Sequence, residues 1–154
     1  MKKTVLAAAI ALCATPALAD QIDNDPSVHI MHDYVLTVPK LKAYDVAYGA
    51  LTTAAKSDKG LQADVAKASA ENDQTIAQTI GKMDHFPRVY AFFQKQGLTK
   101  TEASLLPLIV MDACVVAQYP TAQAGMAKEV APGQAVFCKA NMAAIKGMHF
   151  FSGQ

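Results

Sequence analysis

Any chemistry in this chain has to come from four histidines, seven methionines, three cysteines and its carboxylates. His29 and His32 stand at i and i+3, which on a helix sets both imidazoles on one face at metal-bridging distance. Met31, Met83 and Met148 lie within two residues of His32, His85 and His149, and thioether plus imidazole is a donor set that favours Cu(I). A copper or haem site drawn from His29, Met31, His32, His85 and His149 is therefore one expectation. Spacing works against it, because Met31–His32 and Met148–His149 are adjacent pairs that diverge by about 100° on a helix and would need tertiary convergence. The competing expectation is that Met83 and Met148 fill the core and the histidines are exposed or capping groups.

Catalytic motifs are missing. The chain has no G-x-S-x-G, no phosphate-cradling glycine loop, no H-E-x-x-H and no C-x-x-C-H. Glu71 and Asp73 are two apart and point to different faces of a helix, so they do not converge locally. Asp20, Asp23 and Asp25 lack the glycine turn and distal Glu of a calcium loop and read as a solvated acidic stretch. A hydrolytic enzyme ranks last, for want of a nucleophile and base.

The cysteines depend on the compartment. Met1-Lys2-Lys3 is a positively charged start, Val5 to Ala14 an apolar run of ten residues, and Ala17-Leu18-Ala19 the small-x-small pattern that a signal peptidase accepts. Residues 1–19 are expected to be a signal peptide and Asp20 the mature N-terminus, with the product exported to a Gram-negative periplasm. The run is broken by Pro16 and falls short of the roughly 20 residues that span a bilayer, and no later segment has 18 uninterrupted apolar residues. No integral membrane segment is expected after cleavage. Cys13 departs with the leader, leaving Cys114 and Cys138, which in an oxidising compartment pair by default. Closing that loop would stabilise the fold by roughly 3 kcal/mol in the chain-entropy model. The alternatives are free buried thiols or a redox or metal role.

The elements that position these groups are helical. With 154 residues, 52% hydrophobic and 18% charged, the composition is that of one globular domain and too apolar for a disordered chain. Removing Lys2 and Lys3 from 14 basic and 13 acidic groups leaves the acids one in excess, so no basic field attracts nucleic acid. Residues 20–36 read as a polar N-terminal segment, within which His29 to Leu36 forms a short helix or strand, and residues 37–151 as a helical bundle domain. Leu41, Tyr44, Tyr48, Leu51 and Ala55 make one face of a helix running from Pro39 to about Lys56, with Thr37 offering a cap oxygen. Leu61, Val65 and Ala68, then Ile76, Ile80 and Met83, continue the pattern across Glu71-Asn72-Asp73-Gln74, as two helices in preference to one. Pro87 opens a helix carrying Val89, Phe92 and Phe93, which Gly97 stops.

Thr99-x-x-Glu102 is a capping box, and the helix from Lys100 to Gln118 is apolar nearly all round, as a central buried helix should be. Pro107 predicts a kink in it. Gln123 to Gly133 reads as a loop, and Gln134 to Phe150 as a last helix with Phe137, Ala140, Ala144 and Met148 on its buried stripe, flanked by Val136 and Ile145. Cys138 would staple it to the central helix. The fold class is all-α: a single-domain bundle of about five to six helices around a central apolar helix, with one inter-helix disulfide.

Tyr34-Val35-Leu36-Thr37 with Lys40-Leu41-x-x-Tyr44, then His85-Phe86-Pro87-Arg88-Val89, then Gly97-Leu98-Thr99, resembles small helical exported proteins of Gram-negative bacteria with no assigned activity. The resemblance spans about Tyr34 to Ala117 and implies an all-α fold. It transfers no catalytic or binding residue, and Pro107 and the Cys114/Cys138 pair are not features of it. The disulfide therefore rests on the compartment argument. Two function classes remain. The first is a non-catalytic periplasmic module that binds a protein partner or an apolar small molecule in a groove lined by aromatic groups such as Tyr44, Tyr48, Phe92 and Phe93, with no cofactor. The second is the copper or haem binder.

Overall fold

The computed structural model describes residues 27–71, 73 and 75–152. The signal-peptide reading of Met1 to Ala19 and the acidic stretch at Asp20, Asp23 and Asp25 lie outside the described residues.

Among the described residues eight α-helices follow in order: α1 His29–His32, α2 Val38–Ala55, α3 Lys59–Ala70, α4 Ile76–His85, α5 Pro87–Lys95, α6 Lys100–Gln118, α7 Pro132–Lys146 and α8 His149–Ser152. A 3-10 helix, Pro120–Ala124, lies between α6 and α7 where a plain loop was expected from residue 123. No strand occurs among the described residues. The all-α bundle around a central apolar helix is the observed architecture, with six longer helices and two single-turn ones.

Local chemistry sets most boundaries. The Asp58 carboxylate accepts from Leu61 N (2.9 Å) to cap α3, and Thr75 Oγ1 accepts from Gln78 N (3.1 Å) to cap α4. The C-cap of α3 at Glu71 and the N-cap of α4 at Thr75 divide the 61–83 region into two helices. Thr99 and Glu102 form the complete capping box, with Glu102 N donating to Thr99 Oγ1 and Thr99 N to Glu102 Oε2. Thr37 stands at the N-cap of α2 but its side chain makes no cap bond, so Pro39, which has no N–H to satisfy, is the signal that matters there. After α5 the chain turns at Gly97 with φ +72°, where a side chain would be strained, and Leu98 N reaches back to Phe93 O.

Helix α6 is the core. Leu105, Leu106, Val110 and Ala113 are fully buried, and α1, α2, α4, α5 and α7 all pack on it. Its length and composition would suit a bilayer span, yet most of it is covered by the other helices. It runs through Pro107 without interruption, although Ala103 O loses its intrahelical donor. The core also extends upstream of residue 37. One helical turn, then an extended segment, bring Met31 and Leu36 inside.

The last helix corrects the expected stripe. Gln134, Cys138 and Ile145 form the buried face of α7, whereas Val136 is 69% exposed and Ala140 and Ala144 face solvent. The Cys114–Cys138 disulfide, with Cα atoms 5.3 Å apart, and the buried Gln134 side chain set the rotation of α7 against α6. That pairing outweighs the placement of the aromatic and alanine residues. The helix also ends earlier than expected, at Lys146, because Asp45 on α2 captures the next turn. His149 N and Phe150 N both donate to Asp45 Oδ1, at 2.6 and 3.4 Å.

Candidate functional site

Helix α3 packs on α2 and α5, and α4 packs on α5 and α6, but α3 and α4 share little direct contact. A cavity of about 60 Å³, partly open to solvent, lies between them. Tyr44 and Leu51 of α2, Val65 and Ala68 of α3, Met83 of α4 and Phe93 of α5 supply apolar walls, and Ala103 and Ser104 of α6 lie behind them. The site exists because the chain breaks at residues 71–75: a single helix over 61–83 would leave no gap between α3 and α4.

Of the aromatic residues expected to line a groove, Tyr44 and Phe93 reach the cavity. Their rings meet at a tilt of 43° with centroids 4.9 Å apart, and Phe150 of α8 meets Tyr44 edge-on at 5.0 Å. Burial, and then the neighbouring Tyr48, push the Tyr44 hydroxyl well above the ordinary tyrosine range, so it is a neutral wall group. Tyr48 is buried in the core without lining the cavity, and Phe92 is half-buried with the Lys95 ammonium 5.7 Å from its ring centre. Of the four aromatic residues, Tyr44 and Phe93 line this cavity and Tyr48 and Phe92 do not. Both sit one position or one turn away from a lining residue and point elsewhere.

Polar groups at the cavity divide into satisfied and unsatisfied. Ser69 and Thr79 donate their hydroxyls to the carbonyls of Val65 and Thr75, one turn earlier in their own helices. Lys82 is buried, and its ammonium pairs with Asp73 Oδ2 at 2.5 Å and donates to Glu71 O at 3.1 Å, tying the α3–α4 connection to α4. Ser104, 3% exposed on the core helix, has a buried Oγ with no hydrogen-bond partner. A buried hydroxyl without a partner is costly and needs an explanation.

The chain matches no protein-family model, no curated protein and no solved structure.

Metal-candidate residues are dispersed. Met31 is 1% exposed with its thioether in the core, while His29 beside it is exposed and His32 Nδ1 lies 2.9 Å from Asp33 Oδ1. His85 is exposed, and His149 Nδ1 contacts Asp45 Oδ2 at 3.0 Å. Among the described residues no group of three or more His, Cys, Asp or Glu side chains is placed to hold a metal ion. Cys114 and Cys138 are joined to each other.

Three polar groups organise the structure beyond what their sequence neighbours imply. Glu102 does more than close its capping box: it accepts from Lys40 Nζ (2.9 Å) and from Tyr34 Oη (3.1 Å). Burial works against its charge, but the Lys40 ammonium, the Thr99 N–H and the Tyr34 hydroxyl together hold its carboxyl below the usual range. Gln134 donates Nε2 to Met31 O (2.7 Å) and Tyr34 O (2.8 Å) and accepts from Ala131 N. Asp112, on α6, is pushed up to about 7 by burial and by the nearby Glu129 carboxylate. The capping-box motif was the only one of these with a sequence signal. Ser104, Gln134 and Asp112 look like ordinary surface residues until the helices pack.

Proposed function

We propose that this protein is an exported, non-catalytic helical binding module of the periplasm that holds an apolar small molecule in the cavity between α3 and α4. The observation that carries the reading is that cavity, walled by Tyr44, Val65, Met83 and Phe93. Sites for small molecules are concave, mostly apolar and provided with few polar groups, and this cavity has that character. The export part of the proposal rests on the Met1 to Ala19 pattern, and an inter-helix disulfide suits an oxidising compartment.

A small ligand fits the geometry better than a protein partner. The exposed apolar side chains Val35, Val46 and Val136 come from separate elements, and Met111, Val115 and Tyr119 make a short stripe of three along α6 and its C-cap, the first two only 36% and 38% exposed. The test is xenon, a probe with no polar group, followed by amide chemical shifts of the disulfide-closed protein. Saturable shifts should cluster around Tyr44, Met83, Phe93 and Ala103, and Ala68→Phe, which fills the cavity from α3, should abolish them. Shifts scattered over the surface, or unaffected by Ala68→Phe, would overturn the reading.

A further inference from the structure

We infer that the occupant of the α3/α4 cavity is the unbranched hydrocarbon tail of a single-chain amphiphile, which enters tail first and leaves its head group in water. The inference rests on the cavity reading above and adds the shape of the ligand and the way it enters.

Wall chemistry is the first observation. The surface that faces the cavity is apolar almost throughout, although several polar residues contribute to its lining. The Ser69 and Thr79 hydroxyls donate to carbonyls of their own helices, and the Ser104 hydroxyl has almost no accessible surface on any side. Tyr44 is neutral. Lys82 holds its ammonium against Asp73 Oδ2 at 2.5 Å and the Glu71 carbonyl at 3.1 Å, so its charge is already matched. A charged head group inside would lose its hydration with no counterion to replace it, and a neutral one would exchange water for an apolar wall. Hydrocarbon gains from the same wall.

Depth is the second. Ala68, Thr79 and Met83 are half-buried and Ser69 is exposed, whereas Leu51, Val89, Phe93 and Ala103 are buried to 4% exposure or less. The former belong to α3 and α4, the latter to α2, α5 and α6. The rim therefore lies between α3 and α4, and the floor is built from aliphatic and aromatic groups. A molecule with one polar and one apolar end is oriented by burial alone, tail to the floor and head at the rim.

Size is the third. An apolar cavity of about 150 Å³ accepts benzene. At about 60 Å³ this one is too small to enclose a ring, and a single chain fills it.

Titration of the disulfide-closed protein at physiological salt, followed by amide chemical shifts around Leu51, Met83 and Phe93, reads each feature. Affinity for straight-chain alcohols from butan-1-ol upward should rise about fourfold per methylene buried, then level off once further carbons stay outside. Octanoate and octyltrimethylammonium should match octan-1-ol within about threefold, because heads of either sign remain in screened solvent. Cyclohexanol should bind at least about tenfold more weakly than hexan-1-ol, since a ring overpacks the site. Equal binding of cyclohexanol and hexan-1-ol would overturn the single chain, and a larger head-group preference would overturn tail-first entry, while the cavity reading stands in both cases. Xenon binding without alcohol binding would overturn this inference alone. Loss of both would remove the cavity reading with it.

Discussion

Ser104 and Asp112 lie on the same helix, the first buried and the second half-buried, both against the grain of their chemistry and with opposite consequences. A buried hydroxyl without a partner keeps its full desolvation cost. Replacing Ser104 by Ala deletes that group at nearly constant shape and puts the best helix former into the middle of α6. Ser104→Ala should therefore stabilise the ligand-free protein by about 1–2 kcal/mol, read from urea unfolding; destabilisation would mean that the hydroxyl has a partner in solution. Asp112 is pushed up to about 7 by burial and by Glu129, from an ordinary value of 3.8. Between those two values the folded state holds a proton that the unfolded state has released, so stability falls as pH rises from about 4 through 7. The loss should amount to a few kcal/mol at most and should vanish in Asp112→Asn. Unfolding free energies measured at pH 5 and pH 8 for both proteins check this. Glu102 has the opposite sign, since its carboxyl is held low and its contribution disappears only as pH falls below the ordinary Glu range.

At the scale of elements, the notable contacts join segments distant in sequence through single polar side chains. Gln134 at the start of α7 holds the carbonyls of Met31 and Tyr34, a hundred residues upstream, and Tyr34 in turn donates to Glu102 at the start of α6. These bonds dock the one-turn helix α1 on the core, where Met31 is buried. Gln134→Ala removes the side-chain donor to the Met31 and Tyr34 carbonyls, the first of which keeps Tyr34 N as a second donor, and should cost about 1–3 kcal/mol. It should also raise amide exchange in residues 29–36 more than in α2 or α6, and uniform exchange across the protein would rule out a local docking role. Asp45 plays the corresponding part at the other end, where it accepts from His149 N and Phe150 N and sets Phe150 against Tyr44.

For the molecule as a whole, the disulfide joins the central helix to α7 and closes a loop with a sequence separation of 24. Reduction should lower stability by roughly 3 kcal/mol, with the unreduced, denatured mature protein showing essentially no free thiol on titration. Two reactive thiols per mature chain would show that the bond does not form. Exported material should have the intact mass of a chain beginning at Asp20, and retention of Met1 to Ala19 would remove the periplasmic proposal. The cavity is also a whole-molecule property, because five helices contribute to its lining and none of them carries it alone.

Sequence by itself determined what depends on neighbours within a turn or two. Asp58, Thr75 and Thr99 cap helices because a side-chain oxygen reaches an N–H three residues on, and Pro87 acts through its fixed φ and Gly97 through its freedom to adopt a positive one. The periodicity of Leu41, Tyr44, Tyr48 and Leu51 marked the buried face of α2, and the continuous apolar character of residues 105–110 marked the core helix. Tertiary structure decided the rest. The rotation of α7 was misread, because the disulfide and Gln134 turn a different stripe inward than its aromatic and alanine residues suggest. Tyr48 and Phe92 could not be told from Tyr44 and Phe93 by type or spacing, since a wall of the cavity is defined by where α3 and α4 part. Ser104, Lys82 and Asp112 acquire their character from burial, and burial of a polar side chain is fixed by the elements packed over it, not by its own sequence neighbours.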